Sequence, residues 1–149
     1  MSDRTIRYQA AIIQGDKILL IKHHEFKSGR SYWILPGGGI EPGETEEECI
    51  LREVKEETSL DVNIKSLLMD ESSYPDSVYR IFRTYLCEPV KGTATPGYEP
   101  EPEVAGYYSI TEVKWFDLND ETDWNPEITT DPLTYNQLQS LRKKLGYLT

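Results

Sequence analysis

The sequence predicts an α/β fold of the α+β type, in which a mixed sheet lies between helices. Three observations carry this. The apolar pattern runs strands, helix, strands, helix, without the strict alternation of a doubly wound parallel sheet. Two apolar runs near the start, residues 8–13 and 17–22, flank Gln14-Gly15-Asp16 and read as a β-hairpin. One long helical segment follows a glycine-rich turn and has a capped start and an apolar stripe. At 149 residues the chain is expected to form one domain, 1–149.

The elements follow in order. In the second strand of the hairpin, Ile18 and Leu20 alternate with Leu19 and Ile21, so both faces are apolar and a covered central strand is expected. Residues 23–31 read as a polar connector near a site mouth. Its adjacent histidines, His23 and His24, do not make a zinc site, because neighbouring strand residues face opposite ways and no matching Cys or His cluster exists. Residues 32–36 form a short strand leading to Gly37, Gly38 and Gly39, which permit close backbone approach. Thr45 and Glu48 have capping-box spacing, and Glu46 to Glu48 sit where the helix dipole favours anions.

Strands are then expected at 61–68, 77–88 and 107–118, separated by loops at 69–76 and 89–103. Asp131-Pro132 reads as the start of a last helix, running to about Lys144 and stopped by Gly146. Cys49 and Cys87 form no Cys-x-x-Cys pair and read as buried free thiols.

Composition narrows function. A hydrophobic content of 38% with ten Tyr, three Trp and three Phe argues for a folded globule. The net charge of −10 argues against binding long nucleic acids, though not against a nucleotide whose charge a metal neutralises. No stretch approaches the roughly 20 apolar residues that span a bilayer, so no membrane association and a cytoplasmic location are expected. Oligomeric state stays open, a homodimer among the options.

The helix carries the chemistry. At roughly 100° per residue, Glu53, Glu56 and Glu57 share one arc, with Ile50, Leu51, Val54 and Thr58 forming an apolar stripe beside them. Like charges at this spacing destabilise a helix by a few tenths of a kcal/mol per pair, about 0.2–0.5. A divalent cation turns that repulsion into ligation, and carboxylates with water suit Mg²⁺ or Mn²⁺. A solvated acidic face is the ordinary alternative for such a run.

The wider pattern resembles the signature of the Nudix hydrolases: Gly38, Glu44, Arg52, Glu53, Val54, Glu56, Glu57 and Leu60 stand at its spacings. Ser59 replaces the usual glycine. Six exact identities at fixed spacing arise by chance on the order of 10⁻⁷ per register, which disfavours the solvated face. A Trp33-x-Leu35-Pro36-Gly37-Gly38 lead-in and a late Trp115-Phe116 are also similar to the family.

The resemblance covers most of the chain and implies an α/β/α sandwich. It implies a metal-dependent hydrolase that cuts the pyrophosphate bond of a nucleoside diphosphate linked to another moiety. Glu53, Glu56 and Glu57 are then the metal ligands for Mg²⁺ or Mn²⁺, with Arg52 and Glu44 joining Glu53 and Glu56 in the catalytic set. Glu44 and Arg52 match positions that tie loop to helix, and Gly37 and Gly38 form the turn on the phosphate side. A further loop acid is implied, with Glu99, Glu101, Glu103 and Glu112 as candidates and Glu103 and Glu112 foremost. The partner is a small-molecule nucleotide. The residues that bind its base are open, with Phe26, Tyr74, Tyr79, Trp115 and Trp124 as aromatic candidates. The alternative is a non-catalytic module of the same fold that binds a nucleotide or a protein partner.

Overall fold

Two strands that share only a short paired stretch and then take separate neighbours organise the molecule. The structure, a computed structural model, describes residues 5–72, 79–97 and 108–148. β1 (Ile6–Gln14) and β2 (Lys17–Glu25) are joined by the two-residue turn Gly15-Asp16, with Gly15 at φ 61°. They pair antiparallel only at Ile13↔Ile18 and Gln14↔Lys17.

Beyond that point each strand finds other neighbours. β1 runs parallel to β6 (Ile81–Lys91) from Ile6↔Ile81 to Ile12↔Cys87. β2 pairs antiparallel with β7 (Tyr108–Asp117) along its length, and at its far end with β3 (Ser31–Ile34). β4 (Gly37–Gly38) bonds the edge of β1, and β5 (Asp61–Ser72) pairs with β6. The sheet is thus mixed and seven-stranded.

Helices cover both faces, as expected. α1 (Glu46–Thr58) packs Cys49, Ile50 and Val54 against Tyr8, Ala10, Ile12 and Leu19. On the other face, α2 (Pro126–Thr129) and α3 (Pro132–Lys144) pack Ile128, Leu138 and Leu141 against Ile18, Leu20 and Trp33. Ile18, Leu19, Leu20 and Ile21 are all fully buried, so β2 is the covered strand its sequence indicates. Cys49 and Cys87 are buried free thiols, and burial pushes each thiol up to about 12. No described helix is long and apolar enough to cross a membrane.

Several boundaries differ from the sequence expectation. β2 continues through His23, His24 and Glu25, because β3 and β7 supply backbone partners on both sides. The connector is therefore confined to 26–30. β5 extends to Ser72 and β6 to Lys91, again by mutual pairing. The Trp-Phe strand is followed by a 3₁₀ turn at Glu121–Asp123. α2 was not expected, although Asn125-Pro126 is a cap and first-turn pair, with Asn125 accepting from the Glu127 N–H. Leu51 is 42% exposed and does not belong to the apolar stripe.

Candidate functional site

α1 begins as a full capping box. Thr45 accepts from the Glu48 N–H, and Glu48 accepts from the Thr45 N–H. The helix ends at Ser59, φ 67°, where Thr95 and Gly97 donate backbone N–H groups to the carbonyls of Thr58 and Glu57.

The buried arc of this helix contains two carboxylates. Glu53 is 3% and Glu57 1% exposed, alongside Cys49, Ile50, Val54 and Thr58. With Glu53 at zero, roughly 100° per residue puts that arc between about −40° and +140°, which takes in Glu57 and leaves Leu51 just outside. Glu56 lies at the rim, its side chain 20% exposed.

The glycine turn lies over these acids. Gly37 donates its N–H to Glu57 Oε1 at 2.8 Å. A Cβ placed on Gly38 would stand 2.6 Å from the carboxyl carbon of Glu53, so the missing side chain makes room for that carboxylate. The turn and the helix are fitted to each other at the positions 37, 38, 53 and 57.

Arg52 joins the remaining groups. Its Nε and Nη2 grip Glu44 at 2.6 and 3.0 Å, a two-pronged ion pair between loop and helix. Nη1 donates to Glu53 at 2.8 Å and Glu56 at 3.3 Å, and Nη2 to the Gly39 carbonyl at 3.3 Å. The hydrogen bond from Arg52 holds the Glu44 carboxyl below the usual carboxylate range. The same bond raises the guanidinium further, so Arg52 stays cationic.

His23, which the sequence places in a polar connector, is buried on β2 beside Glu57. Its Nε2 stands 3.8 Å from Glu57 Oε2, and its ring packs against Tyr32 and Tyr108. Alternation along β2 carries the signal, since His23 shares a strand face with Leu19 and Ile21.

The auxiliary acids are placed differently. Glu99, Glu101 and Glu103 lie outside the described residues, as does Tyr74. Glu112 is exposed on β7 opposite Lys22, one residue from Val113, which packs toward the α1 cluster. Alternation turns Glu112 to the other face, so the fold does not bring it to the α1 carboxylates. Among the aromatic candidates, Trp124 is core and Phe26 is 53% exposed on the connector.

The donor set fits a small divalent cation: three carboxylates on one arc, two of them withdrawn from water, are hard oxygen ligands. Among the described residues no three acidic, His or Cys side chains already converge at coordination spacing. Arg52 donates to both Glu53 and Glu56, so a cation held there would share those carboxylates with the guanidinium.

Residues 4–134 match the model of the NUDIX domain. The NAD-capped RNA hydrolase NudC of Vibrio atlanticus is 33% identical over 135 residues, 89% of this chain and 45% of that protein. The ADP-ribose pyrophosphatase of Methanocaldococcus jannaschii is 40% identical over 114 residues, 72% of this chain and 59% of that protein. The chain thus spans less than two thirds of either relative. Among solved structures, an ADP-ribose pyrophosphatase from Streptococcus suis shares the fold with a TM-score of 0.62 at 24% identity, covering 94% of this chain and 93% of that one.

Proposed function

The chain belongs to the NUDIX domain family, and on that premise we propose that it is a divalent-metal-dependent pyrophosphohydrolase. Its substrate is a small nucleoside diphosphate linked to another moiety, and Mg²⁺ or Mn²⁺ is its cofactor. The names of two relatives support this class, since NAD-capped RNA and ADP-ribose both contain a nucleoside diphosphate. The net charge of −10 supports a small substrate over a long polyanion. The proposal includes a single domain over 1–149 and a cytoplasmic setting.

One observation carries the reading: Glu53 and Glu57 are buried side by side under a glycine turn, with Glu56 at their rim. Burying carboxylates is costly unless something compensates, and here the compensation is aimed at one spot. Glu53, Glu56 and Glu57 would hold the ion. When bound, it supplies charge neutralisation at the diphosphate and an acidified water.

The chain's own groups orient that set. The Gly37 N–H fixes the direction of Glu57. Glu44 anchors Arg52, which braces Glu53 and Glu56 and remains a fixed positive charge near the scissile phosphates. Gly38 keeps the approach to Glu53 clear.

The test is a panel of nucleoside diphosphate derivatives incubated with Mg²⁺ or Mn²⁺, reading released mononucleotide. Turnover of at least one is expected. Glu56→Gln and Glu57→Gln should each abolish it while the thermal melt stays cooperative. Turnover that survives both substitutions would remove the metal assignment.

A further inference from the structure

Glu56 and Glu57 lie in the last turn of α1, which ends at Thr58. That is the least favourable end of a helix for carboxylates. The final carbonyls have no partner within the helix, and the negative end of the dipole repels anions. Lys55, the basic residue of that turn, pairs with Asp61 at 3.3 Å. Terminal turns are also the first part of a helix to open. An open last turn carries Glu56 and Glu57 away from Glu53, which sits one turn further in.

A segment from another part of the chain closes this turn. After β6, residues 92–97 fold back over the end of α1. Gly92 turns the chain with φ 99°, and Ala94 packs on the core cluster that α1 shares with β1. The N–H groups of Thr95 and Gly97 donate to the carbonyls of Thr58 and Glu57 at 2.9 and 3.0 Å. Thr95 Oγ1 also bonds Ser59 Oγ. The fit leaves no room for a side chain at Gly97. A Cβ there would overlap the Glu56 carbonyl and stand 2.9 Å from the Glu57 Cα. The backbone of this segment therefore lies directly on the backbone of the two acids.

We propose that residues 92–97 are a positioning strap for the metal site, seated by Gly97, which holds Glu56 and Glu57 toward Glu53 before a cation arrives. Gly97 acts through the α1 backbone and is a positioning residue. The strap's N–H groups give the negative end of the helix the donors it lacks, just where the carboxylates crowd. A ligand set that is already ordered gives up less freedom when it binds, which strengthens binding. Outer partners that hold metal ligands in place are worth roughly 10–100-fold in metal affinity or activity. The inference rests on the metal-dependent reading above, and goes further in naming what keeps the proposed ligands in place.

Two measurements without nucleotide test this apart from catalysis. Mn²⁺ affinity is read by electron paramagnetic resonance of the free ion, and amide hydrogen exchange along α1 by NMR. In Gly97→Ala the strap must lift. Exchange at Glu57, Thr58 and Ser59 should quicken while that at Ile50 and Leu51 stays as in wild type. Mn²⁺ affinity should fall by about tenfold. Ala94→Asn weakens the strap's anchor without touching α1. It should move both readouts the same way, by several-fold, and it decides the question if Gly97→Ala fails to fold. Ile128→Val, which loosens the core on the opposite face, should leave both readouts unchanged. Faster exchange with unchanged Mn²⁺ affinity overturns the proposal, as does a loss of affinity in Ile128→Val equal to that in Gly97→Ala. Wild-type protein that binds no Mn²⁺ removes the metal reading and the strap's role with it. Mn²⁺ bound equally by wild type and both strap variants removes this inference alone.

Discussion

Thr95 Oγ1 donates to Ser59 Oγ at 2.9 Å across the C-terminal end of α1. Ser59 is the non-glycine residue with positive φ among the described residues, at 67°. It stands where the Nudix pattern has glycine, and the hydroxyl pair is what serine gains there. Two backbone bonds, from Thr95 and Gly97, already cap the helix beside it. Ser59→Gly removes a left-handed strain of about 1 kcal/mol and an exposed hydrogen bond of about 0.5 kcal/mol. A net gain in stability of about 0.5 kcal/mol is expected from urea unfolding. A loss would mean that the Thr95 bond outweighs the strain.

The two glycines of β4 should separate stability from catalysis. A Cβ at Gly37 would run into the Tyr8 carbonyl, a backbone atom that cannot move away. Gly37→Ala should therefore destabilise the fold by about 1–3 kcal/mol. A Cβ at Gly38 meets instead the carboxyl end of Glu53, at 2.6 Å. That end can rotate, so Gly38→Ala should lose less stability but displace a proposed metal ligand. Its kcat on the best substrate of the panel should fall on the order of 100-fold, as misplacement of about 1 Å does elsewhere. Comparable kcat in wild type and Gly38→Ala would count against the role of Glu53.

The layered architecture and α1 were legible because they rest on local signals. The Thr45–Glu48 cap, the apolar stripe and the glycine after the last helix each act within a few residues. The parts that were not legible depend on distant partners. His23 lies in a polar stretch where alternation with Leu19 and Ile21 is the one local strand signal, and it is pairing with β3 and β7 that extends β2 through it. Leu51 looked buried because helical periodicity gives an arc but not its centre, and the glycine turn moved that centre toward Glu57. The carboxylate arc was readable from spacing, whereas a cavity lined by Tyr32, Glu71, Tyr108 and Gln137 is assembled from β3, β5, β7 and α3, which are far apart in sequence.

The Glu44–Arg52 pair should appear in the acid limb of stability. Arg52's hydrogen bond lowers the Glu44 carboxyl in the folded state below its ordinary value of about 4.3. A lowered folded pKa means that the unfolded chain binds the proton more readily. The contribution is therefore fully present above about pH 4.3 and is lost as pH falls through the lower, folded value. Glu44→Gln should be less stable than wild type at neutral pH, and the gap should close as pH falls through the lowered folded value. Guanidinium unfolding at several pH values reads this directly. A gap that stays constant with pH would show that the pair contributes by geometry rather than by charge.

Glu71 predicts the opposite trend. Burial is the main cause that raises its carboxyl above the ordinary range, with the Ser140 bond opposing it. A raised folded pKa means that the native state holds the proton more tightly than the unfolded chain does. Its stabilising contribution is full below about pH 4.3 and is lost as pH rises through the folded value. As pH rises, ionisation places on Glu71 a charge that its surroundings solvate poorly. Glu71→Gln has the same shape and no charge, so it should be more stable than wild type at about pH 7 and lose that advantage by about pH 4. Unfolding curves of the two proteins at both pH values decide it, with no ligand present. A glutamine variant that is less stable at neutral pH would show that the carboxylate is well solvated where it stands.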